Sequence, residues 1–336
     1  MQQTPPTPQP IIDLANAFYG SSTLFAASDA GLFGELAKHP GATSDEVATA
    51  LSIAPRASRL LLDACVALGL LTKDGLHYKN TPTTTLFLVP GSPADLSGAI
   101  RYNRDVYEAW GKLPAFLQSG TPVESPQVHL GDDANRTRTF VLSMHYRALG
   151  IGRSVIPLLD FNNTTKLLDC GGGPGTYAAL CAKAQPALHC TVIDLPAVAA
   201  IADELIAQQG LSDRVKTLPG SYHDVEFPTG MDRVHFFGCL HQESPEAIQK
   251  LFAKAFAALR PGGKIVVMDL MTDSTHTAPA FSALFALNMA LTTENGWVFS
   301  DLECRSWLES VGFTGFTVKP LPQPMPHWLA MATKPL

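Results

Sequence analysis

The spacing of apolar and polar positions changes character once along the chain. Up to about Leu88 it is helical and then hairpin-like. Leu24, Phe25, Leu32, Phe33 and Leu36 form one stripe at helical spacing, ended by His39-Pro40-Gly41. Thr43-Ser44-Asp45-Glu46 sets a hydroxyl three residues ahead of a carboxylate, so each side chain can satisfy a free backbone amide at a helix start. Val47 to Leu51 continues that helix, and Pro55 opens another carrying Leu60, Leu61, Leu62, Val66, Leu68 and Leu70. Asp74-Gly75 signals a tight turn between Leu70-Leu71 and His77-Tyr78. Two short helices and a hairpin make the winged-helix pattern.

From Pro90 to Leu159 the chain is first broken by Pro and Gly and then helical, with helices expected over Tyr107 to Leu117 and Arg136 to Leu159. This stretch reads as a connector and pocket wall. From Lys166 strands and helices alternate. Strands are expected at 166–170, 189–193, 215–218, 232–237 and 264–270, with helices at 177–184, 197–209 and 245–259 between them. A last helix at 301–310 has a capping box at Ser300 and Glu303, and two strands follow at 315–319 and 328–333. Apolar strands joined by crossover helices predict a parallel, doubly wound α/β sheet covered on both faces. The expected divisions are a disordered lead (1–10), a winged-helix domain (11–90), the connector (91–160) and the α/β domain (161–336).

Three segments carry candidate chemistry, each at the carboxyl end of an expected strand. Leu167-Leu168-Asp169-Cys170 runs into Gly171-Gly172-Gly173-Pro174-Gly175 and then a helix, a loop that lets backbone approach a ligand closely. The dinucleotide pattern G-x-G-x-x-G would need a glycine where Thr176 stands. The alternate glycines 171, 173 and 175 suit instead a ligand with an amino-acid tail and no pyrophosphate. Asp194 ends the next strand, about 20 residues on, where a carboxylate can take both hydroxyls of a ribose. His241 follows the strand ending in Phe236-Phe237, and a neutral imidazole there can remove a proton from a substrate hydroxyl.

Composition narrows the partners. The 336 residues suffice for two domains, and 46% of them are hydrophobic. A net charge of −6 without any Lys/Arg run argues against nucleic acid. The six cysteines form no CxxC pair and no zinc spacing, which reads as reduced core thiols in a cytoplasmic protein with no metal. Met1 to Pro10 has neither the charge nor the apolar run of a signal peptide, and no stretch is long and apolar enough for a membrane span.

In this order, the three segments resemble class I S-adenosylmethionine-dependent methyltransferases. The whole chain resembles the homodimeric O-methyltransferases that include caffeate, hydroxyindole and bacterial polyketide members. Ala67-Leu68-Gly69-Leu70-Leu71, Leu259-Arg260-Pro261-Gly262-Gly263-Lys264 and Leu287-Asn288-Met289 carry the rest of the match. The resemblance implies an N-terminal, all-helical winged-helix domain that makes a homodimer and closes the partner's pocket. It also implies that Asp169, Gly171 and Gly173 line the methionine part of S-adenosylmethionine. Asp194 would hold its ribose, and Leu195, Ser221 and Tyr222 would lie by the adenine. His241 would be the general base, Asp269 its supporting acid, and Met144, His145, Asn288 and Met289 would face a small aromatic acceptor. Phe281, Phe285, Trp297 and Phe299 are further pocket candidates.

Three departures stand out. Ser221 falls where the family has an acid, Gln242-Glu243 replace the usual Asp-Trp after the base, and Val298 occupies the place of a second supporting acid, with Glu294 nearby. Methyl transfer to carbon or nitrogen therefore stays open beside transfer to oxygen. A nicotinamide-dependent oxidoreductase would also use Asp194, and a ligand-sensing winged-helix regulator would share the N-terminal pattern.

Overall fold

The computed structural model describes residues 6–92, 94–124 and 133–336, so residues 1–5 of the expected lead lie outside it. The chain divides into two compact units, Met1–Arg104 and Asp105–Leu336.

The first unit holds α1 (Gln9–Asp29), α2 (Leu32–Lys38), β1 (Ala42–Thr43), α3 (Ser44–Leu51), α4 (Pro55–Ala67), β2 (Leu71–Asp74), β3 (His77–Asn80) and α5 (Pro82–Phe87). A further helix, α6 (Ser97–Asp105), ends at the division. Two expectations need correction here. The stripe from Leu24 to Leu36 is two helices, because Gly31 takes φ 75°, a left-handed conformation that suits glycine and ends α1. Gln9 and Pro10, placed in the lead, already belong to α1, with Pro10 in the first turn, where no amide hydrogen is needed. The capping box forms as read, with the Thr43 amide donating to Glu46 Oε2 at 2.7 Å. The hairpin β2–β3 gains β1 to make a sheet ordered β1-β3-β2. Leu32, Phe33, Leu36, Leu62 and Tyr78 close its core.

The first helix is unlike the rest of this unit. Only Ala27 of its 21 residues is buried. Ile11 is 75% exposed, Leu14 79%, Phe18 50% and Tyr19 60%. Exposed apolar side chains of that kind are a common mark of an interaction surface.

The second unit continues with α7 (Tyr107–Gly111), α8 (Leu113–Ser119) and α9 (Ala134–Val155), then β4 (Lys166–Cys170), α10 (Thr176–Ala184), β5 (His189–Asp194), α11 (Pro196–Gln208) and β6 (Val215–Pro219). It ends with β7 (Met231–Phe237), α12 (Pro245–Ala258), β8 (Leu259–Asp269), α13 (Ala280–Thr292), α14 (Asp301–Val311), β9 (Thr314–Pro320) and β10 (Trp328–Thr333). The helix expected over Tyr107 to Leu117 is broken at Lys112, since Pro114 lacks the amide to continue it. The long helix expected to reach Leu159 stops at Val155 and tightens into a 3-10 turn over Ile156–Leu158 that contains Pro157. The strand expected from Lys264 begins at Leu259, where Leu259 pairs with Met231 ahead of a register shift.

The seven strands lie in the order β6-β5-β4-β7-β8-β10-β9. The first five are parallel, and β10 runs antiparallel to both neighbours. From β4 the chain winds first toward β6, then returns to β7 on the other side. That reversal opens a crevice at the carboxyl ends of the strands, where such sheets bind ligands. Two apolar cores flank the sheet. One gathers Leu168, Val234 and Phe252, the other Leu167, Val192 and Phe237.

Candidate active site

The crevice is built by three strand ends. After β4, Gly171, Gly173 and Gly175 take φ of 64°, 54° and 68°, so each turn favours glycine. A Cβ on Gly171 would stand 3.0 Å from Cys239 Cβ, and one on Gly172 2.8 Å from Asp169 Oδ2. A Cβ on Gly173 would meet nothing within 4 Å, so this glycine faces open space.

Two carboxylates attend the loop. Asp194 Oδ2 accepts from the Gly173 amide at 2.7 Å and Oδ1 from the Leu195 amide at 2.8 Å, which ties β5 to the loop. Burial raises its pKa while those two amides oppose the rise. Asp169 is fully buried, and among the described residues neither of its oxygens has a hydrogen-bond partner. Burial, then the charge of Asp194, pushes its pKa up to about 7. A buried carboxyl under a glycine loop that faces open space at Gly173 fits a ligand that brings a positive charge and donors. S-adenosylmethionine, with its ammonium and sulfonium, meets that requirement.

The third strand end sets an imidazole against a carboxylate. His241 Nδ1 lies 2.6 Å from Asp269 Oδ1. A carboxylate only accepts, so Nδ1 carries a proton, and in the neutral ring Nε2 presents the lone pair. Asp269 is held in turn by the amides of Leu240 at 3.1 Å, His241 at 3.3 Å and Leu270 at 2.8 Å. The His241 ring meets Phe285 edge-on at 5.2 Å, and its carbonyl accepts from the Trp297 amide at 2.9 Å. Val298 is buried and Glu294 exposed, and Asp269 is the carboxylate hydrogen-bonded to His241.

The remaining candidates scatter more. Leu195 is half-buried and precedes α11. Ser221 Oγ accepts from the His223 amide at 3.2 Å, closing its own turn. Tyr222 donates its hydroxyl to Glu243 Oε1 at 2.6 Å, and burial holds its phenol well above the usual range. Met144 and His145 are half-buried on α9, and His145 Nδ1 lies 2.7 Å from Thr176 Oγ1, directly after the glycine loop. Burial lowers the pKa of His145, so it stays neutral at neutral pH. Asn288 and Met289 are buried on α13, where Asn288 Oδ1 accepts from Trp110 Nε1 at 2.9 Å. Phe281 is 51% exposed and stacks on Phe285. Phe299 is fully buried among Phe236 and Phe252, so it belongs to the core and not to a pocket wall.

Sequence reasoning missed Glu243 as a partner of Tyr222, and it missed His327. His327 is buried, its Nδ1 has no hydrogen-bond partner among the described residues, and burial pushes its pKa down to about 3. It precedes Trp328, which pairs with Asp269. Its lone position between Pro326 and Trp328 gave no signal.

Comparison with known proteins meets this geometry. An O-methyltransferase domain matches residues 122–314 and an O-methyltransferase dimerisation domain residues 12–90. The chain is 31% identical over 317 residues to the 3-hydroxy-5-methyl-1-naphthoate 3-O-methyltransferase of Streptomyces sahachiroi, covering 92% of this chain and 91% of the relative. It is 32% identical over 333 residues to the N,N-dimethyltransferase OxyT of Streptomyces rimosus, covering 97% and 96%. The structure of human N-acetylserotonin methyltransferase in complex with S-adenosylmethionine superposes with a TM-score of 0.87 at 25% identity over 100% of both chains. The chain therefore belongs to the O-methyltransferase family of S-adenosylmethionine-dependent enzymes, with its dimerisation domain at the N-terminal end.

Proposed function

We propose that the enzyme methylates a hydroxyl of a small aromatic or polyketide-like acceptor, with His241 as general base. One observation carries this reading: a buried Asp269 fixes the Nδ1 proton of His241 at 2.6 Å, on the same strand-end edge as the glycine loop. The ring is thereby held in one orientation, with Nε2 turned away from Asp269. The bound cofactor supplies a methyl group on a sulfonium, already activated toward attack. What the chain adds is alignment of the hydroxyl and removal of its proton. Asp169, Gly171 and Gly173 would hold the amino-acid end of the cofactor, Asp194 its ribose, and Leu195, Ser221 and Tyr222 its adenine. Each Asp194 oxygen keeps a lone pair beyond its backbone amide, enough for two ribose hydroxyls. Met144, His145, Asn288 and Met289 would line the acceptor, with Phe285 against the base.

Incubating the enzyme with labelled S-adenosylmethionine and a panel of phenols, anilines and activated ring carbons tests the reading. Label in a methyl ether supports it, whereas label only in N-methyl or C-methyl products overturns it. Transfer to nitrogen is the second reading, favoured because one close relative is named an N,N-dimethyltransferase. Such an acceptor would need His241 little when its amine is already neutral.

The dimerisation domain points to a homodimer, and the apolar face of α1 is our proposed contact. Burying a Leu or Phe contributes about 1.5–3 kcal/mol. Charging both Leu14 and Phe18 (Leu14→Asp with Phe18→Asp) should leave a monomer by light scattering. A persistent dimer would move the interface elsewhere. The six cysteines are all free and buried, which accords with a cytoplasmic setting.

A further inference from the structure

Glu243 stands where the family's usual pattern has no acid, and its surroundings give it a use. Its side chain is 14% exposed. Oε1 accepts twice, from the Tyr222 hydroxyl at 2.6 Å and from His223 Nε2 at 3.1 Å. Among the described residues Oε2 accepts no hydrogen bond. The carboxylate is therefore largely out of water with one oxygen oriented by its twin and still open. Such an oxygen is a strong acceptor waiting for a donor.

The backbone around it is rigid. The Glu243 amide donates to the Leu240 carbonyl at 3.0 Å, and its carbonyl accepts from Trp297 Nε1 at 2.9 Å. Ser244 then caps α12. On the other side, Lys254 Nζ donates to the carbonyls of Tyr222 at 2.6 Å, His223 at 2.9 Å and Val225 at 2.8 Å, which pins the loop after β6. The Tyr222 ring reaches within 3.1 Å of where a Gly171 Cβ would lie, so this network borders the glycine loop. Ser221, by contrast, has no charge and uses its oxygen to close its own turn.

We infer that Glu243 reads the exocyclic amine of the cofactor's adenine, supplying from beyond β7 the acid that position 221 lacks. The inference rests on the cofactor reading above. Tyr222 and His223 act as positioning residues that orient the carboxylate. An adenine offers two N–H donors at that corner, and a hypoxanthine offers a carbonyl oxygen, which a carboxylate repels.

The test is calorimetric titration with S-adenosyl-L-homocysteine and S-inosyl-L-homocysteine. The wild type should prefer the adenine compound by about 10- to 100-fold. Glu243→Gln and Glu243→Ala should bring the two within about threefold of each other. Adding Ser221→Asp to Glu243→Ala should restore the preference. Melting curves confirm that each variant is folded, with the near-isosteric Gln variant as the safeguard. A preference unchanged in Glu243→Ala, or equal weakening of both compounds, would overturn the role of Glu243. Failure of the wild type to bind either compound would overturn the cofactor reading instead.

Discussion

Replacing His241 with alanine is expected to lower kcat by about 10²- to 10⁴-fold while leaving affinity for S-adenosylhomocysteine within about twofold of wild type. The split follows from the architecture. Asp169, Asp194 and the glycines lie at the ends of β4 and β5, whereas His241 follows β7. The imidazole ring is anchored to Asp269 and packed against Phe285, so removing it spares the loop. More acidic phenols should narrow the deficit, because an acceptor already ionised needs no base. Asp269→Asn should cost a comparable factor, since an amide that donates to Nδ1 places the proton on Nε2 and removes the lone pair. A His241→Ala enzyme as fast as wild type on an unactivated phenol would contradict the general-base assignment.

Asp169→Asn should do the opposite to stability and to binding. The folded pKa of Asp169 is about 7 against an unfolded value near 3.8, raised by burial first and the Asp194 charge second. A carboxyl with a raised folded pKa contributes its full stability below the unfolded pKa and loses it as pH rises toward the folded one. Apo wild type should therefore weaken between about pH 4 and pH 7, and the asparagine variant should not. With about 1.4 kcal/mol per pKa unit, the variant gains on the order of 2–4 kcal/mol at pH 8 and nothing at pH 4. Melting temperatures across that window check it, with an expected gap of about 5–12 °C at the alkaline end. The same variant should bind the cofactor about tenfold or more weakly, because the carboxyl would no longer meet its positive charge. A variant that melts below wild type at pH 8 would contradict the picture of an uncompensated buried acid.

Much of this architecture can be read from local pattern. β4, β5 and β7 are short apolar runs between crossover helices, and each ends in residues whose type betrays a carboxyl-edge site. Ser300 and Glu303 form their capping box because both partners sit within one turn. What escapes is decided across distance or without periodicity. The segment Ala280–Thr292 is apolar almost all round, so it offers no amphipathic stripe to mark it as a helix. The pairing of Glu243 with Tyr222 joins segments about 20 residues apart, and the placing of His327 next to Trp328, the strand partner of Asp269, depends on β10 lying beside β8. Phe299 looked like pocket lining because an aromatic residue reads alike in a core and in a cleft.

The central claim, that the glycine loop and Asp194 hold S-adenosylmethionine, has a direct measurement. Purified wild type and Asp194→Ala are titrated calorimetrically with S-adenosylmethionine and S-adenosylhomocysteine, with NAD in parallel. The account predicts wild-type dissociation constants on the order of micromolar, a loss of about 100-fold in the variant from its two ribose hydrogen bonds, and no response to NAD. Absence of binding to both compounds, or equal affinity in the variant, would contradict it.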